Sequence, residues 1–377
     1  MFMTIQGVGK LPISITTEQA ANLGMKLARI SSDIGRLDEK FKTSMVTSNL
    51  INTLALKESV QSTRIEGTHV TFTDMVENSH SSSQKWEYIE VMNYQKALFI
   101  GQERIRNGYP LSTRLILELH QTLMQGARGT NVSAGEFRKV PNWIGPTNRR
   151  EDAVYIPVDA QDIETYLENW ENYANSHAYG KAMDLSHLPK NQFVIDEESH
   201  SLLKVAVLHA QFESIHPFLD GNGRLGRIII ALYMMQTNQI SSLIFLVSEE
   251  LEKQRAKYYH LLNGTRGKEP DWSSWINFFL DASERMTQKL NQLLDEAESM
   301  AKKGLAQCET ATQKNVYLVT FSQPNSTASQ MAKILSISPV TARNALNYLS
   351  DQGLLFKDTA KKRNVEYWNY GLLELVN

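Results

Sequence analysis

His216-Pro217-Phe218-Leu219-Asp220-Gly221-Asn222-Gly223-Arg224-Leu225-Gly226-Arg227 lies between two stretches of helical apolar spacing, Glu198 to Ile215 and Arg224 to Gln236. Its middle is therefore a tight loop feeding a helix amino terminus. Two glycines around Asn222 let the backbone take conformations closed to other residues and approach a ligand closely. Unpaired N–H groups at the helix start, aided by the helix dipole, form an anion site. Arg224 and Arg227, three apart on the new helix, share one face and can fork onto phosphate oxygens. Asp220 supplies a hard oxygen for Mg²⁺, which is usually held by one or two carboxylates together with phosphates and water. His216 has the side chain whose ordinary pKa best suits a general base. Singly, each part has a plain structural use: a core histidine, an Asp-Gly turn, a solvated pair of arginines. Together and in this order they point to phosphate-transfer chemistry. A calcium loop fits less well, because the later carboxylate of an EF-hand is absent and Arg224 would oppose a cation.

Outward from this loop the chain is predicted to be mainly helical. Leu23, Leu27, Ile30, Ile34 and Leu37, then Leu50, Leu54 and Leu56, recur at helical spacing and give two helices between Thr17 and Ile65. Thr73 to Asn78 opens a short helix, and His80 to Gln84 reads as a polar loop. Glu87 to Arg106 and Ser112 to Met124 are amphipathic helices separated by Asn107-Gly108-Tyr109-Pro110. Further helices are expected over Asp162 to His177, Glu249 to Leu262 and Asp271 to Met300. Gly135 to Val158 differs: Phe137, Val140, Trp143 and Ile144, then Val154, Tyr155 and Ile156, flank a polar turn at 146–150 and predict a β-hairpin. After Thr312, three short helices (Lys314 to Phe321, Ala328 to Leu335, Pro339 to Ser350) precede Leu354 to Lys357, a basic turn at 361–363 and Val365 to Trp368. That order predicts a winged helix-turn-helix unit.

The 377 residues, 42% hydrophobic and 21% charged, suffice for two or three domains and exclude a disordered chain. A net charge of −2 gives no global drive toward nucleic acid or an anionic membrane. The single cysteine, Cys308, excludes an internal disulfide and a cysteine zinc cluster. Met1 to Pro12 lacks the pattern of a secretory signal, and Ile228 to Met235 is far shorter than the roughly 20 residues of a spanning helix. A cytoplasmic location and no membrane partner are the expectation.

The loop resembles the motif of the Fic family, His-x-Phe-x-(Asp/Glu)-Gly-Asn-Gly-Arg-x-x-Arg, at every specified position. Leu208-His209-Ala210-Gln211-Phe212-Glu213, Arg255-Ala256-Lys257-Tyr258-Tyr259, and the hairpin with Gly135-Glu136-Phe137-Arg138 and Trp143-Ile144-Gly145 are also similar to that family. The resemblance covers roughly 59–280 and implies a helical core that moves AMP from ATP, with Mg²⁺, to a Tyr, Thr or Ser hydroxyl of a protein. It makes His216 the base and Asp220 the metal ligand. Gly221, Asn222 and Gly223 would cradle phosphates, Arg224 and Arg227 would bind the outer phosphates, and Phe218 would anchor the loop. Tyr258 and Tyr259 would be nucleotide contacts, although packing is the commoner use of such tyrosines; His209 is expected to be a core or orienting histidine. The hairpin resembles the family's target-holding flap, whose exposed edge would pair with an extended segment.

Ser62-Thr63-Arg64-Ile65-Glu66-Gly67 places Ser62 and Glu66 on one helical face, with Gly67 suited to end the helix. Alone it is a helix terminus with a solvated acid. It also resembles the inhibitory pattern (Ser/Thr)-x-x-x-Glu-(Gly/Asn) of many Fic proteins, which implies that Glu66 pairs with Arg227 and holds ATP in an unproductive pose. The expected organisation is an N-terminal helical region with the inhibitory helix (1–70), a Fic catalytic core (71–300) and a winged-helix domain (301–377). The other reading is a nucleotide-sensing transcription regulator, with Ser338, Thr341, Arg343 and Asn344 near the start of a recognition helix. A DNA or protein partner through 312–377 and a homodimer both remain open.

Overall fold

The computed structural model describes residues 4–78, 85–126, 133–147, 149–179, 182–360 and 363–377. Two short strands, β1 (Ile5–Gln6) and β2 (Ile13–Ile15), precede the long helix α1 (Thr17–Thr43). A capping box starts α1: Thr16 accepts from the Gln19 backbone, and the Gln19 side chain accepts from the Thr16 N–H. Its buried stripe, Leu23, Ile30, Ile34, Leu37 and Phe41, keeps the three-to-four spacing seen in the sequence. Then follow α2 (Thr47–Ile65), α3 (Phe72–Glu77), α4 (Trp86–Arg106) and α5 (Thr113–Leu123). The polar loop expected at 80–84 lies outside the described residues.

The segment predicted as a hairpin is narrower than expected. Among the described residues its antiparallel contact is a single bridge, Ile144 with Tyr155, and β3 (Tyr155–Ile156) uses its other edge to pair in parallel with β1. The edge of β3 that faces away from Ile144 has its carbonyls satisfied by the amino-terminal strand, through Ile5 N–H to Val154 and Gly7 N–H to Ile156. The helix α6 (Ile163–Tyr179) and strand β4 (Phe193–Ile195), antiparallel to β2, lead to the centre of the molecule.

That centre is the pair α7 (Ser201–Ile215) and α8 (Asn222–Gln236), buried on nearly every side. Helices buried on every face sit in the core of a protein, and here their buried polar residues, among them His209, Glu213, Arg224 and Arg227, meet at the loop between them. Two tryptophans pin it from outside, Trp170 donating to the Leu208 carbonyl and Trp275 to the Ala206 carbonyl, each at 2.9 Å. The helix expected over 249–262 divides into α9 (Ser248–Glu252) and α10 (Arg255–Gly264), because Gln254 leaves helical geometry at φ −121°, ψ 35°. The 35-residue α11 (Trp272–Ala306) packs along α1 and continues toward the last segment.

There the expected short helices appear as α12 (Ala311–Val319), α13 (Ala328–Leu335) and α14 (Pro339–Asp351). Strands β5 (Asn325–Thr327), β6 (Phe356–Lys357) and β7 (Glu366–Trp368) form an antiparallel sheet in the order β5-β7-β6, and α15 (Tyr370–Val376) closes the chain. β5 and α15 carry no separate signal in the sequence. Residues 361 and 362 of the expected basic turn lie outside the described residues. The last segment shares one apolar cluster with the core, and Thr53 on α2 donates to the Phe321 carbonyl at 2.7 Å. Among the described residues no helix is long and apolar enough to cross a membrane.

Candidate active site

The α7–α8 connection is built from its ends inward. His216 caps α7 in left-handed geometry, φ 49° and ψ 62°, an uncommon conformation for a residue with a Cβ. Two buried arginines hold it there. Arg138 donates its Nε to the His216 carbonyl at 2.9 Å and its Nη1 to the Val140 carbonyl at 3.2 Å, while its backbone N–H reaches the Pro217 carbonyl at 2.9 Å. Arg266 donates to the Ser214 hydroxyl at 3.0 Å and the Glu213 carbonyl at 3.1 Å, and lies 3.9 Å from the Tyr155 ring centroid. Cations at a helix carboxyl terminus satisfy orphan carbonyls and oppose the negative dipole end. They also act on His216: burial first, then Arg266 and Arg138, hold its imidazole down to about 3. The ring is therefore neutral at physiological pH, and its buried Nδ1 has no hydrogen-bond partner among the described residues.

Asn222 staples the loop. Its Oδ1 accepts from the Phe218 N–H at 2.9 Å and its Nδ2 donates to the Phe218 carbonyl at 2.8 Å. Its side chain is thus committed to the loop, and only its backbone can face a phosphate. Phe218, fully buried, stacks on His120 with ring centroids 3.7 Å apart, so the anchoring role expected of it has a physical form. Gly221 begins α8 at φ 79° and offers no side chain to cap the first N–H groups. The amino terminus of α8 is thereby left as an anion site.

Charged groups of both signs surround that terminus. Asp220 accepts from its neighbour's Gly221 N–H at 2.6 Å and from Arg224 at 3.2 Å, and its side chain is more than half exposed. Among the described residues no three or more His, Cys, Asp or Glu cluster as a ready-made metal cage. A single exposed carboxylate beside an anion site fits Mg²⁺ only with phosphates and water completing its shell. Arg224, buried, also lies 3.5 Å from Glu90, whose other oxygen accepts from Thr68 at 3.0 Å.

Arg227 is almost wholly buried and turns toward α2. Its Nε donates to the Ser62 hydroxyl at 2.7 Å, and its Nη2 donates to the Ser62 carbonyl at 3.0 Å and the Glu66 carboxylate at 2.6 Å. Burial works against the guanidinium charge, but the Glu66 carboxylate and nearby groups raise its pKa above the ordinary value. Nη1 has no hydrogen-bond partner among the described residues. A Cβ added to Gly223 would come within 2.3 Å of the Glu66 Oε1, so this carboxylate rests directly on the first turn of α8. The Glu66 side chain is about one-third exposed, while that of Arg227 is 1% exposed.

The two tyrosines separate. Tyr258 is buried, and its hydroxyl contacts His209 Nε2 at 2.8 Å while His209 Nδ1 contacts the Gly226 carbonyl at 3.1 Å. Burial and the nearby Arg227 hold His209 down to about 3. His209 is thus a buried, neutral histidine bridging the Tyr258 hydroxyl and the Gly226 carbonyl, and the Tyr258 hydroxyl is occupied. Tyr259 is partly exposed, donates weakly to the Ile65 carbonyl at 3.4 Å, and stands beside the turn that ends α2. Glu213, quoted above only as part of a stretch similar to the family, has a place of its own. Burial pushes its carboxyl up to about 7, and its Oε1 stands where a Cβ on Gly226 would meet it at 2.4 Å. The bracing roles of Arg138 and Arg266 escaped the sequence reading, since their acceptors are backbone atoms of distant segments.

The loop and its helices match known proteins. Residues 110–234 match the model of the Fic/DOC family and residues 25–103 that of the Fic/DOC family N-terminal region, so the chain belongs to the Fic/DOC family. Among curated relatives, the protein adenylyltransferase Fic of Drosophila erecta is 25% identical over 234 residues, 59% of this chain and 40% of that protein. Its counterpart in Drosophila willistoni is 23% identical over 53% of this chain and 33% of its own length. The match thus spans less than half the length of these relatives. A Fic family protein from Desulfovibrio desulfuricans G20 superposes with a TM-score of 0.57 at 17% identity, over 96% of this chain and 98% of its own. A Fic domain containing signaling protein from Bacteroides thetaiotaomicron gives 0.53 at 16% identity, over 71% and 97%. These two establish a shared fold.

Proposed function

We propose that the chain is a protein adenylyltransferase that moves AMP from ATP to a Tyr, Thr or Ser hydroxyl of a protein, itself included, and that Glu66 restrains it. The observation that carries this reading is the Glu66 carboxylate 2.6 Å from Arg227 and resting on Gly223, an anion held in an anion site. In the transfer, neutral His216 takes the proton of the target hydroxyl. That oxygen attacks the α-phosphorus, its bond to the β-phosphate oxygen breaks, and pyrophosphate leaves. The first-turn N–H groups at Asn222 and Gly223 and the side chains of Arg224 and Arg227 receive the phosphates. Asp220 would hold Mg²⁺, which when bound neutralises phosphate charge. Segment 133–147, joined to the loop through Arg138, would hold the target. With Glu66 in place, Arg227 is spent on a carboxylate and the outer phosphate finds negative charge where it needs positive.

Residues 301–377 we read as a winged-helix unit that follows the 1–70 region and the 71–300 core and packs against them, with α11 running across the boundary at 300. Supporting that reading, Ser338 caps α14 by accepting from the Thr341 N–H at 3.0 Å, and Thr341, Arg343 and Asn344 are exposed on its first turns. The deciding experiment for the enzyme reading incubates purified protein with ATP labelled at the α- or the γ-phosphate. Protein labelled from α and not from γ is the expected result; label from γ would mean phosphoryl transfer and overturn it.

A further inference from the structure

His120, on α5, belongs to none of the motifs above, and it is buried. Its Nδ1 accepts from the Gly135 N–H at 2.9 Å, and its Nε2 lies 3.1 Å from the Asp220 carbonyl. A backbone N–H only donates and a carbonyl only accepts, so one neutral tautomer satisfies both, with the lone pair on Nδ1 and the proton on Nε2. The ring lies on Phe218 at an interplanar angle of 10°, and Phe137 packs on Phe218 with centroids 5.4 Å apart. One side chain thus joins α5, the start of segment 133–147 and the catalytic loop.

We propose that His120 is a positioning residue for the transfer, with one arm aligning the target-holding segment at Gly135 and the other fixing the Asp220–Gly221 peptide. This rests on the adenylyltransferase reading. The Asp220 carbonyl and the Gly221 N–H belong to one peptide plane, and that N–H holds the Asp220 carboxylate at 2.6 Å. Turning the plane would swing the carboxylate away and tilt the first N–H groups of α8. The ring limits that motion by contact as well, since a Cβ on Gly221 would lie 3.5 Å from His120 Cδ2 and 3.0 Å from the Met124 sulfur. Loop and target segment are thereby set against one rigid reference, and small misplacements of reacting groups are costly in such transfers.

The two arms separate by substitution. His120→Asn keeps an acceptor near the Nδ1 position and loses the reach to Asp220. His120→Gln keeps a donor near the Nε2 position and loses the Gly135 acceptor, and His120→Phe keeps only the stack. In a Glu66→Gly chain, self-labelling from α-labelled ATP should show a raised KM for ATP in the Asn variant and a lowered kcat with unchanged KM in the Gln variant. The Phe variant should lose about 10- to 100-fold in kcat/KM, the range for removing a group that orients a ligand. Hydrogen exchange at the Gly135 amide should accelerate in the Phe and Gln variants and stay slow in the Asn variant. Equal losses in the same parameter for Asn and Gln, or parental kinetics in Phe, would overturn the proposal. If the Glu66→Gly chain transfers no AMP at all, the enzyme reading fails instead. The exchange result still decides the tether, since a protected Gly135 amide in the Phe variant sinks it.

Discussion

The loop at 216–227 and the end of α2 at 62–66 meet at Arg227, and they are held in opposite ways. The loop is over-determined: Asn222 bonds the Phe218 backbone twice, Arg138 and Arg266 bind the last carbonyls of α7, and His120 fixes Asp220 from behind. Nearly all of these partners are buried. The Glu66 carboxylate, by contrast, is about one-third exposed and belongs to the residue that caps α2, where one side chain leaving would unpair the guanidinium from its carboxylate while Ser62 still binds it. Cores resist change and exposed termini open at low cost. On the reading proposed above, the difference teaches that the loop's geometry is built permanently while the contact made by Glu66 is built to be removed.

Removing the group that the braces exist to hold should have the largest effect. His216→Ala should lower AMP transfer by ~10²–10⁴-fold, as loss of a general base does, with ATP binding little changed in calorimetry. Undiminished labelling would show that the braced residue is not the base.

Next in size is the cost of removing a brace. Arg138→Leu leaves carbonyls of residues 140, 158, 215 and 216 without their donor, and each of these that is buried costs about 1–3 kcal/mol when unpaired. A fall in the denaturant midpoint is expected. An equal fall for Glu66→Gly would erase the contrast between a permanent loop and a removable restraint.

Acid should sharpen the same contrast. His209 and His216 are held near 3 in the folded chain, against an ordinary 6.5. The unfolded chain therefore takes up protons first, so their contribution to stability is complete above pH 6.5 and is lost as pH falls toward 3. For activity, His216 remains an unprotonated base throughout, and kcat/KM should show no falling limb between pH 7 and 5.5 that His216→Ala abolishes. A His216-dependent limb near 6.5 would mean the flanking arginines do not govern its charge.

The smallest effect concerns the far end of α2. Thr53→Val removes a buried hydrogen bond to Phe321 and should cost about 1 kcal/mol, read as a modest drop in Tm.

Much of the molecule was legible in the sequence because its determinants are local. The spacing of Leu23, Ile30, Ile34 and Leu37 announces α1, and the twelve residues from His216 to Arg227 carry their chemistry in one contiguous loop. The pairing of Glu66 with Arg227 was accessible only because both motifs are short and recognisable. What stayed hidden is non-local. The pairing of Ile5–Gln6 with Tyr155–Ile156 joins two-residue strands about 150 positions apart, and such strands have too few residues to show a period. Asn222 was read as part of the phosphate cradle; that its side chain is engaged by the Phe218 backbone could not be read, because a backbone partner leaves no mark in sequence. The same holds for His120, Arg138 and Arg266. The division of 249–262 at Gln254 was missed because no glycine or proline announces it.

The central claim, that Glu66 occupies the place of a substrate phosphate, is tested most directly by comparing self-labelling from α-labelled ATP in four chains. These are the parent, Glu66→Gly, Arg227→Ala and the double variant. Most substitutions at a catalytic centre remove a positioned group and slow the reaction; this one removes a competitor for Arg227. Labelling should rise in Glu66→Gly and the rise should vanish in the double variant, the non-additivity expected of two groups in direct contact. Unchanged or lowered labelling in a folded Glu66→Gly chain, or a rise that survives Arg227→Ala, would contradict it.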